Sequence, residues 1–315
     1  MTRVQELYPD NKIVLREVGL RDGLQLVKTF PSTSAKQRWM REEFAAGVRH
    51  FETGSFLPAK SFPQFADVGE MIQTVASLPG AYGIALALNE RGVNEALASG
   101  VAEVASVVSA TEEHSQANAN RSRESAIANI RRLCELRDAS AHKPVVNAAI
   151  SMSLGCSIAG PVDPREVLWL TEKLFEAGAD MVAICDTVGY AGPRQVGELT
   201  AGAVKIAGAK PICIHLHDTR GMGIANASAA LDSGARVLDG SLGGLGGCPF
   251  APGATGNVVI EDLAFLCESK GFATGIDIEK LVAVRGILKS EMPEEALYGG
   301  LARAGLPRGS AAKAA

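Results

Sequence analysis

The sequence lacks the features that mark several classes of protein. No apolar run approaches the roughly 18 residues that a membrane-spanning helix needs, and the N-terminal segment has no apolar core of a secretory signal. The formal net charge of −4 shows no broad basic excess, so we expect neither nucleic acid nor an anionic membrane as a partner. We therefore expect a cytoplasmic protein, and its 47% hydrophobic content is typical of a chain with a substantial core.

Paired cysteines are also missing. The six cysteines, at positions 134, 156, 185, 213, 248 and 267, lie far apart and form no CxxC pair. In a chain of 315 residues this spacing indicates neither a disulfide framework nor a zinc ribbon. We interpret most of them as buried thiols.

Short β-branched runs alternate with longer amphipathic stretches. Strands are predicted at residues 13–18, 50–53, 82–87, 104–108, 145–150, 181–185, 212–215 and 237–241. Helices are predicted between them at 35–46, 90–98, 122–140, 165–177, 193–206 and 225–233. Four of these helices are followed by a glycine of the kind that ends helices, Gly47, Gly100, Gly178 and Gly234. The repeated order predicts parallel strands joined by crossover helices.

Eight such strands over roughly 230 residues match the size of an α/β (β/α)8 TIM barrel. A doubly wound open sheet is the alternative, but no GxGxxG motif follows the first strand, and polar residues follow many of the strands. We expect one domain over residues 1–315, with the barrel at about 13–270. A short C-terminal helical extension is expected at about 271–305, followed by a frayed tail.

The first two predicted strands each end near charged residues. Arg21 and Asp22 form either a surface ion pair of little energetic value or a functional pair, with Asp22 as a metal ligand and Arg21 beside a developing oxyanion. These two residues alone do not decide between the readings. Glu52 ends the second strand, where a carboxylate is costly to bury without a partner. Its position one strand later favours an active-site role.

The seventh predicted strand leads into Ile214-His-Leu-His-Asp218. Residues two apart in a strand point to the same side, so His215 and His217 present two imidazoles on one face. A single histidine in a strand is usually structural, whereas a pair at this spacing is typical of a metal site.

Glycine is unusually dense between residues 240 and 257, after the eighth strand. The segment is a flexible connection, a phosphate cradle or a lid that closes over substrate. Cys248 lies within it. Asn257 precedes a helix expected near residue 258, so its amide oxygen could join a metal shell. Asp22, His215, His217 and Asn257 together suit Mg²⁺ or Mn²⁺ with positions left open, and Zn²⁺ or Co²⁺ could also bind.

The chain resembles the 3-hydroxy-3-methylglutaryl-CoA lyases, which belong to a group of metal-dependent lyases and Claisen-condensing enzymes. The resemblance extends from about residue 13 to about residue 281. It is carried by Arg21-Asp-Gly-Leu-Gln25, Glu52-Thr-Gly-Ser-Phe56, Asp186-Thr-Val-Gly189, His215-Leu-His-Asp-Thr219, Gly244-Leu-Gly-Gly-Cys-Pro249 and Gly253-Ala-Thr-Gly-Asn257. The glycine-rich segment with its Cys-Pro separates the lyases from the related synthases.

The resemblance implies retro-Claisen cleavage of a 3-hydroxyacyl-CoA. It implies that the cation is bound by Asp22, His215, His217 and Asn257. Arg21 would stabilise the enolate oxygen, and Cys248 would protonate the enolate carbon or relay a proton. The resemblance gives Glu52 and Asp186 the role of supporting catalytic carboxylates. It implies that Gln25 and Lys28 bind substrate and that Gly244, Gly246 and Gly247 belong to the lid.

The sequence departs from the family pattern near the expected barrel mouth. Leu26-Val27 stand where Asn-Glu is usual, and Gly54 stands where a second Thr is expected. From the resemblance and these departures we expect the substrate to be 3-hydroxy-3-methylglutaryl-CoA or a related thioester such as a citramalyl-CoA or a longer-chain 3-hydroxyglutaryl-CoA. A metal-dependent aldolase or condensing synthase and a non-catalytic binding protein are the other readings. We also expect a homo-oligomer, a dimer or a tetramer, because the apolar helix at 278–288 leaves surface for a subunit contact.

Overall fold

The computed structural model describes residues 2–247 and 256–308. Eight parallel strands close into one barrel in the order of the sequence. They are β1 (Val14–Glu17), β2 (His50–Ser55), β3 (Tyr82–Leu86), β4 (Glu103–Ser109), β5 (Val145–Ser151), β6 (Met181–Asp186), β7 (Ile212–Leu216) and β8 (Val237–Gly240). Pairing of β1 with β8 closes the barrel. The TIM-barrel prediction is confirmed, and each predicted strand coincides with one of these eight.

Helices surround the barrel. Those in the described ranges are α1 (Arg3–Leu7), α2 (Thr33–Ala45), α3 (Val68–Ala76), α4 (Glu90–Ser99), α5 (Glu112–Ala119), α6 (Arg123–Ala139), α7 (Pro164–Glu176), α8 (Pro193–Ala207), α9 (Gly223–Asp232), α10 (Ile260–Ser269), α11 (Ile278–Glu291) and α12 (Gly300–Ala304). The six predicted helices are confirmed as α2, α4, α6, α7, α8 and α9. The sequence prediction missed α5 because its buried side chains are only His114 and Ser115, which form no apolar stripe.

The four glycines predicted to end helices all have left-handed backbone conformations. The φ angles are 110° at Gly47, 79° at Gly100, 103° at Gly178 and 101° at Gly234. Glycine adopts such angles without the steric cost that a Cβ atom brings. Each glycine turns the chain from a helix toward the next strand, as the sequence predicted.

The two faces of each strand have different environments. In β1, Leu15 belongs to the large apolar core between the barrel and its helices. Arg16 points into the barrel, where it pairs with Glu103 of β4 and Asp239 of β8. The barrel interior therefore holds a buried polar network as well as apolar side chains.

Helix α11 uses its apolar residues within the chain. Leu281, Val284 and Leu288 are buried in the same core as the barrel-facing helices. The apolar face that suggested a subunit contact is thus already covered, and the homo-oligomer stays a prediction. In the described ranges, no helix combines the length and the apolar character needed to cross a membrane.

The cysteine interpretation is confirmed for the thiols that the structure describes. Cys134, Cys156, Cys185, Cys213 and Cys267 are buried and free. Cys248 and the frayed tail predicted at the C-terminus lie outside the described residues.

Candidate active site

Three potential metal ligands meet at the C-terminal ends of the strands. Asp22 lies in the π-helical turn Gly19–Gly23 that follows β1, His215 lies in β7, and His217 follows the end of that strand. One ligand atom from each residue lies within 4.8 Å of the others. The Nε2 atoms of the two histidines are 3.2 Å apart, so the period-two spacing brings both imidazoles to one point.

Asn257 reaches the same cluster from the far end of the glycine-rich segment. Its Nδ2 donates to Asp22 Oδ2 at 2.7 Å and to the carbonyl of Leu245 at 3.0 Å. Gly246 has a φ of 136°, and a Cβ atom there would lie 2.5 Å from Asn257 Nδ2. A glycine is therefore required for this close approach. Whether the segment acts as a lid stays a prediction.

The donor atoms fit a divalent cation. Asn257 Oδ1 and His217 Nδ1 are buried without a hydrogen-bond partner, which leaves an amide oxygen available beside the two imidazoles and the carboxylate. Burial, followed by the nearby charge of His215, lowers the pKa of His217 to about 4. His217 is therefore neutral near pH 7 and keeps a nitrogen lone pair for a metal. This mixed nitrogen and oxygen set suits Mg²⁺, Mn²⁺ or Zn²⁺.

Arg21 lies beside the cluster. Its Nη1 donates to Asp22 Oδ1 at 2.9 Å and to Gln25 Oε1 at 3.1 Å. Its Nε lies 2.7 Å from Glu52 Oε1, so the guanidinium is held between two carboxylates. The side chains of Arg21 and Asp22 are only 15% and 14% exposed, and the reading as a surface ion pair is therefore wrong.

The structure does not bring every predicted site residue into this cluster. Both carboxylate oxygens of Asp186 accept backbone N–H groups, from Tyr190 at 2.9 Å and from Ala191 at 3.2 Å. Asp186 thus holds the turn after β6. Lys28 is exposed. Gly244 and Gly247 lie in the described part of the glycine-rich segment.

Sequence reasoning missed Asp239 in β8. Asp239 Oδ2 lies 3.0 Å from His215 Nδ1 and is buried. Burial raises the pKa of Asp239, but the charges and hydrogen bonds of Arg16 and His215 together outweigh burial and hold that pKa well below its usual range. The sequence did contain a feature that could have identified Asp239. It is a carboxylate inside an apolar strand, like Glu52.

Sequence reasoning also missed Glu17, which supports the turn that carries Arg21 and Asp22. Its Oε1 accepts the backbone N–H of Gly19 at 2.5 Å and that of Leu242 at 3.3 Å. Burial raises the pKa of Glu17 to about 8, and burial also raises the pKa of the neighbouring Glu43. Oε2 of Glu17 and the two carboxylate oxygens of Glu43 are buried without a hydrogen-bond donor. A proton shared by the two carboxyl groups explains their burial.

Glu17→Gln is expected to change how stability depends on pH. Between its usual pKa of 4.5 and the folded value of about 8, Glu17 keeps its proton in the folded state and loses it on unfolding. The unfolding free energy of the parent protein should therefore fall, relative to the variant, on the order of 1.4 kcal/mol per pH unit across this window. Urea unfolding at several pH values from 5 to 8 measures the difference.

Glu42→Gln is the matched control, because Glu42 is exposed on α2 beside buried Glu43. It should leave the pH dependence of unfolding unchanged. Parallel pH profiles for the parent protein and Glu17→Gln would contradict the shared-proton interpretation.

Such a donor set at the C-terminal end of a closed eight-stranded barrel defines a metal-dependent TIM-barrel enzyme. The chain belongs to the HMGL-like family, whose family model matches residues 12–288. This family is divalent-metal dependent, and the resemblance drawn from the sequence is confirmed.

Relatives in this family are similar along most of their length. The chain is 39% identical over 271 residues to a 3-hydroxy-3-isohexenylglutaryl-CoA/hydroxymethylglutaryl-CoA lyase of Pseudomonas aeruginosa, covering 86% of this chain and 90% of that one. It is 34% identical over 285 residues to a hydroxymethylglutaryl-CoA lyase of Bacillus subtilis, covering 90% and 94%. The structure of a hydroxymethylglutaryl-CoA lyase from Acinetobacter baumannii, in complex with coenzyme A and 3-methylmalate, has a TM-score of 0.88, 31% identity and 98% coverage of both chains.

Proposed function

We propose that this protein cleaves 3-hydroxy-3-methylglutaryl-CoA to acetyl-CoA and acetoacetate with the help of a divalent cation. The activity is that of a carbon–carbon lyase, the class to which the named relatives belong. The observation that carries the proposal is the convergence of Asp22, His215 and His217 beside the guanidinium of Arg21. A cation site and a fixed positive charge at one end of a barrel are what cleavage to an enolate requires.

In this proposal Asp22, His215, His217 and Asn257 hold the cation. A divalent cation held there would act as a Lewis acid toward oxygen atoms of the substrate and would lower the pKa of a hydroxyl group that it binds. The protein side chains fix the substrate so that the C2–C3 bond lies next to Arg21. Positioning of this kind removes much of the entropic barrier to reaction.

As the C2–C3 bond breaks, a general base takes the proton of the C3 hydroxyl, C3 becomes the ketone carbon of acetoacetate, and the bonding electrons leave with the thioester as an enolate, which Arg21 is proposed to stabilise. Its contacts with Asp22 and Glu52 fix the plane of the guanidinium before substrate binds. Negative charge grows on the enolate oxygen along the reaction, so this interaction is strongest in the transition state. The Cys248 thiol, which lies outside the described residues, is proposed to protonate the enolate carbon. The proton taken from the hydroxyl replaces the one that the thiol gives to the enolate carbon.

A lyase acting on a longer-chain 3-hydroxyglutaryl-CoA is a second candidate. Leu26 and Val27, the apolar departures from the family pattern, line a cavity of about 140 Å³ together with Leu245 and Gly246. This cavity adjoins the segment that contacts Asn257. Glu295 and Tyr298 also line this cavity, and its apolar side at Leu26 and Val27 would suit a larger acyl substituent.

Product analysis tests the proposal. The purified protein is incubated with 3-hydroxy-3-methylglutaryl-CoA and either Mg²⁺ or EDTA, and acetyl-CoA and acetoacetate are measured. We expect both products in equal amounts with Mg²⁺ and neither with EDTA. Absence of product from this substrate, together with turnover of a longer-chain 3-hydroxyglutaryl-CoA, would favour the second candidate.

A further inference from the structure

We propose that Asp239, itself held by Arg16, is a positioning residue that orients the imidazole of His215 toward the cation. The inference rests on the proposed metal-dependent function and deepens it. Among the described residues, the Asp239 carboxylate contacts Arg16, Cys213 and His215 but neither Asp22 nor His217, so it acts through His215. The buried pair Arg16–Asp239 thereby links the centre of the barrel to the site at its C-terminal end.

The contact between Asp239 and His215 determines which ring nitrogen faces the cation. Asp239 Oδ2 lies 3.0 Å from His215 Nδ1. A carboxylate oxygen accepts the N–H of an imidazole, so this contact places a ring proton on Nδ1 and leaves Nε2 as the nitrogen that can bind a cation. It is His215 Nε2 that lies 3.2 Å from His217 Nε2, at the point where the ligand atoms converge. A carboxylate behind a metal-binding imidazole fixes both its tautomer and its orientation.

Arg16 fixes the carboxylate in turn. Its Nε donates to Asp239 Oδ1 at 2.6 Å and its Nη2 donates to Asp239 Oδ2 at 3.0 Å. This two-point contact sets the plane of the carboxylate, which a single hydrogen bond would leave free to rotate. The two residues are register partners in the β1–β8 pairing that closes the barrel. The orientation of His215 therefore depends on barrel closure.

Arg16 also pairs with a second buried carboxylate, Glu103, which can be compared with Asp239. Arg16 Nη1 donates to Glu103 Oε1 at 2.8 Å, and Glu103 further contacts Asn147 and Tyr8. Glu103 and Asp239 are both buried carboxylates paired with Arg16, but only Asp239 contacts His215. Removing either charge disturbs the buried network, whereas only the loss of Asp239 frees the imidazole.

Calorimetric titration with Mn²⁺ alone tests the inference on the full chain. We expect Asp239→Asn to weaken Mn²⁺ binding by about 10- to 100-fold. Glu103→Gln should stay within about threefold of the parent protein, even where it lowers the unfolding temperature. Equal losses of Mn²⁺ affinity in the two variants, or unchanged affinity in Asp239→Asn, would overturn the inference.

A second measurement needs no substitution. In Mg²⁺-loaded protein labelled with ¹⁵N-histidine, which contains five histidines, long-range ¹H–¹⁵N correlation spectra identify the protonated nitrogen of each ring. We expect His215 to carry its proton on Nδ1, and a proton on Nε2 would overturn the inference.

A parent protein that binds no Mn²⁺ at all would overturn the proposed metal-dependent function, and this inference with it. Normal Mn²⁺ binding combined with an unaffected Asp239→Asn variant would overturn this inference alone.

Discussion

Asp22→Asn is expected to weaken binding of Mg²⁺ or Mn²⁺ by at least about 100-fold and to reduce turnover correspondingly at low metal concentration. The substitution preserves the shape of the side chain but removes its negative charge. Asp22 is the sole carboxylate of the three-residue cluster, so its loss leaves two imidazoles and neutral amide oxygens, a set that binds hard cations less tightly. Calorimetry and turnover measured over a range of metal concentrations report the two effects separately.

Asp218→Asn is the matched control for this prediction. Asp218 directly follows His217, but its carboxylate accepts the backbone N–H of Gly223 at the start of α9, at 2.7 Å. We expect that control to cost little stability, because the amide oxygen of Asn can still accept the N–H of Gly223, and to leave metal affinity unchanged. Equal metal affinity in Asp22→Asn and the parent protein would contradict the assignment of Asp22 as a ligand.

Arg21→Lys is expected to lower kcat by about 10²–10³ while leaving metal affinity nearly unchanged. Lysine keeps the positive charge but cannot contact Asp22, Gln25 and Glu52 with a rigid planar group as the guanidinium does. An interaction that strengthens only as the enolate forms is lost from kcat more than from KM. Steady-state kinetics at saturating metal give both constants.

Arg236→Lys is the control for Arg21→Lys. Arg236 immediately precedes β8 at the opposite end of the barrel, where it donates to the carbonyls of Leu231 and Ala235. Its replacement should leave kcat within about twofold of the parent value. A kcat for Arg21→Lys equal to that of the parent protein would remove Arg21 from the proposed mechanism.

Local patterns predicted the part of the site that depends on local geometry. The spacing of His215 and His217 places both rings on one side of an extended segment whatever the rest of the fold does. Asp22 and Asn257 were predicted from their places at the ends of elements and from family resemblance. The structure brings Asn257 into hydrogen-bond contact with Asp22.

Contacts between distant strands could not be predicted in the same way. Arg16 and Asp239 are separated by 223 residues, and their pairing depends on the register between the first and last strands of the closed barrel. The sequence carries no local indication of that register. The partner of a buried carboxylate is equally hard to predict from the sequence. Glu52 and Asp186 both lie in strands but have different partners. Glu52 faces Arg21, whereas Asp186 is held by the backbone of its own turn.

The most direct test of the account is to titrate metal-free protein with Mn²⁺ while measuring site occupancy and cleavage of 3-hydroxy-3-methylglutaryl-CoA in the same samples. The account predicts that acetyl-CoA and acetoacetate form in proportion to the filling of one site per chain, and that Asp22→Asn shifts both curves together to higher metal concentration. Cleavage that proceeds without metal, or a filled site in the folded protein with no cleavage of any 3-hydroxyacyl-CoA, would contradict it.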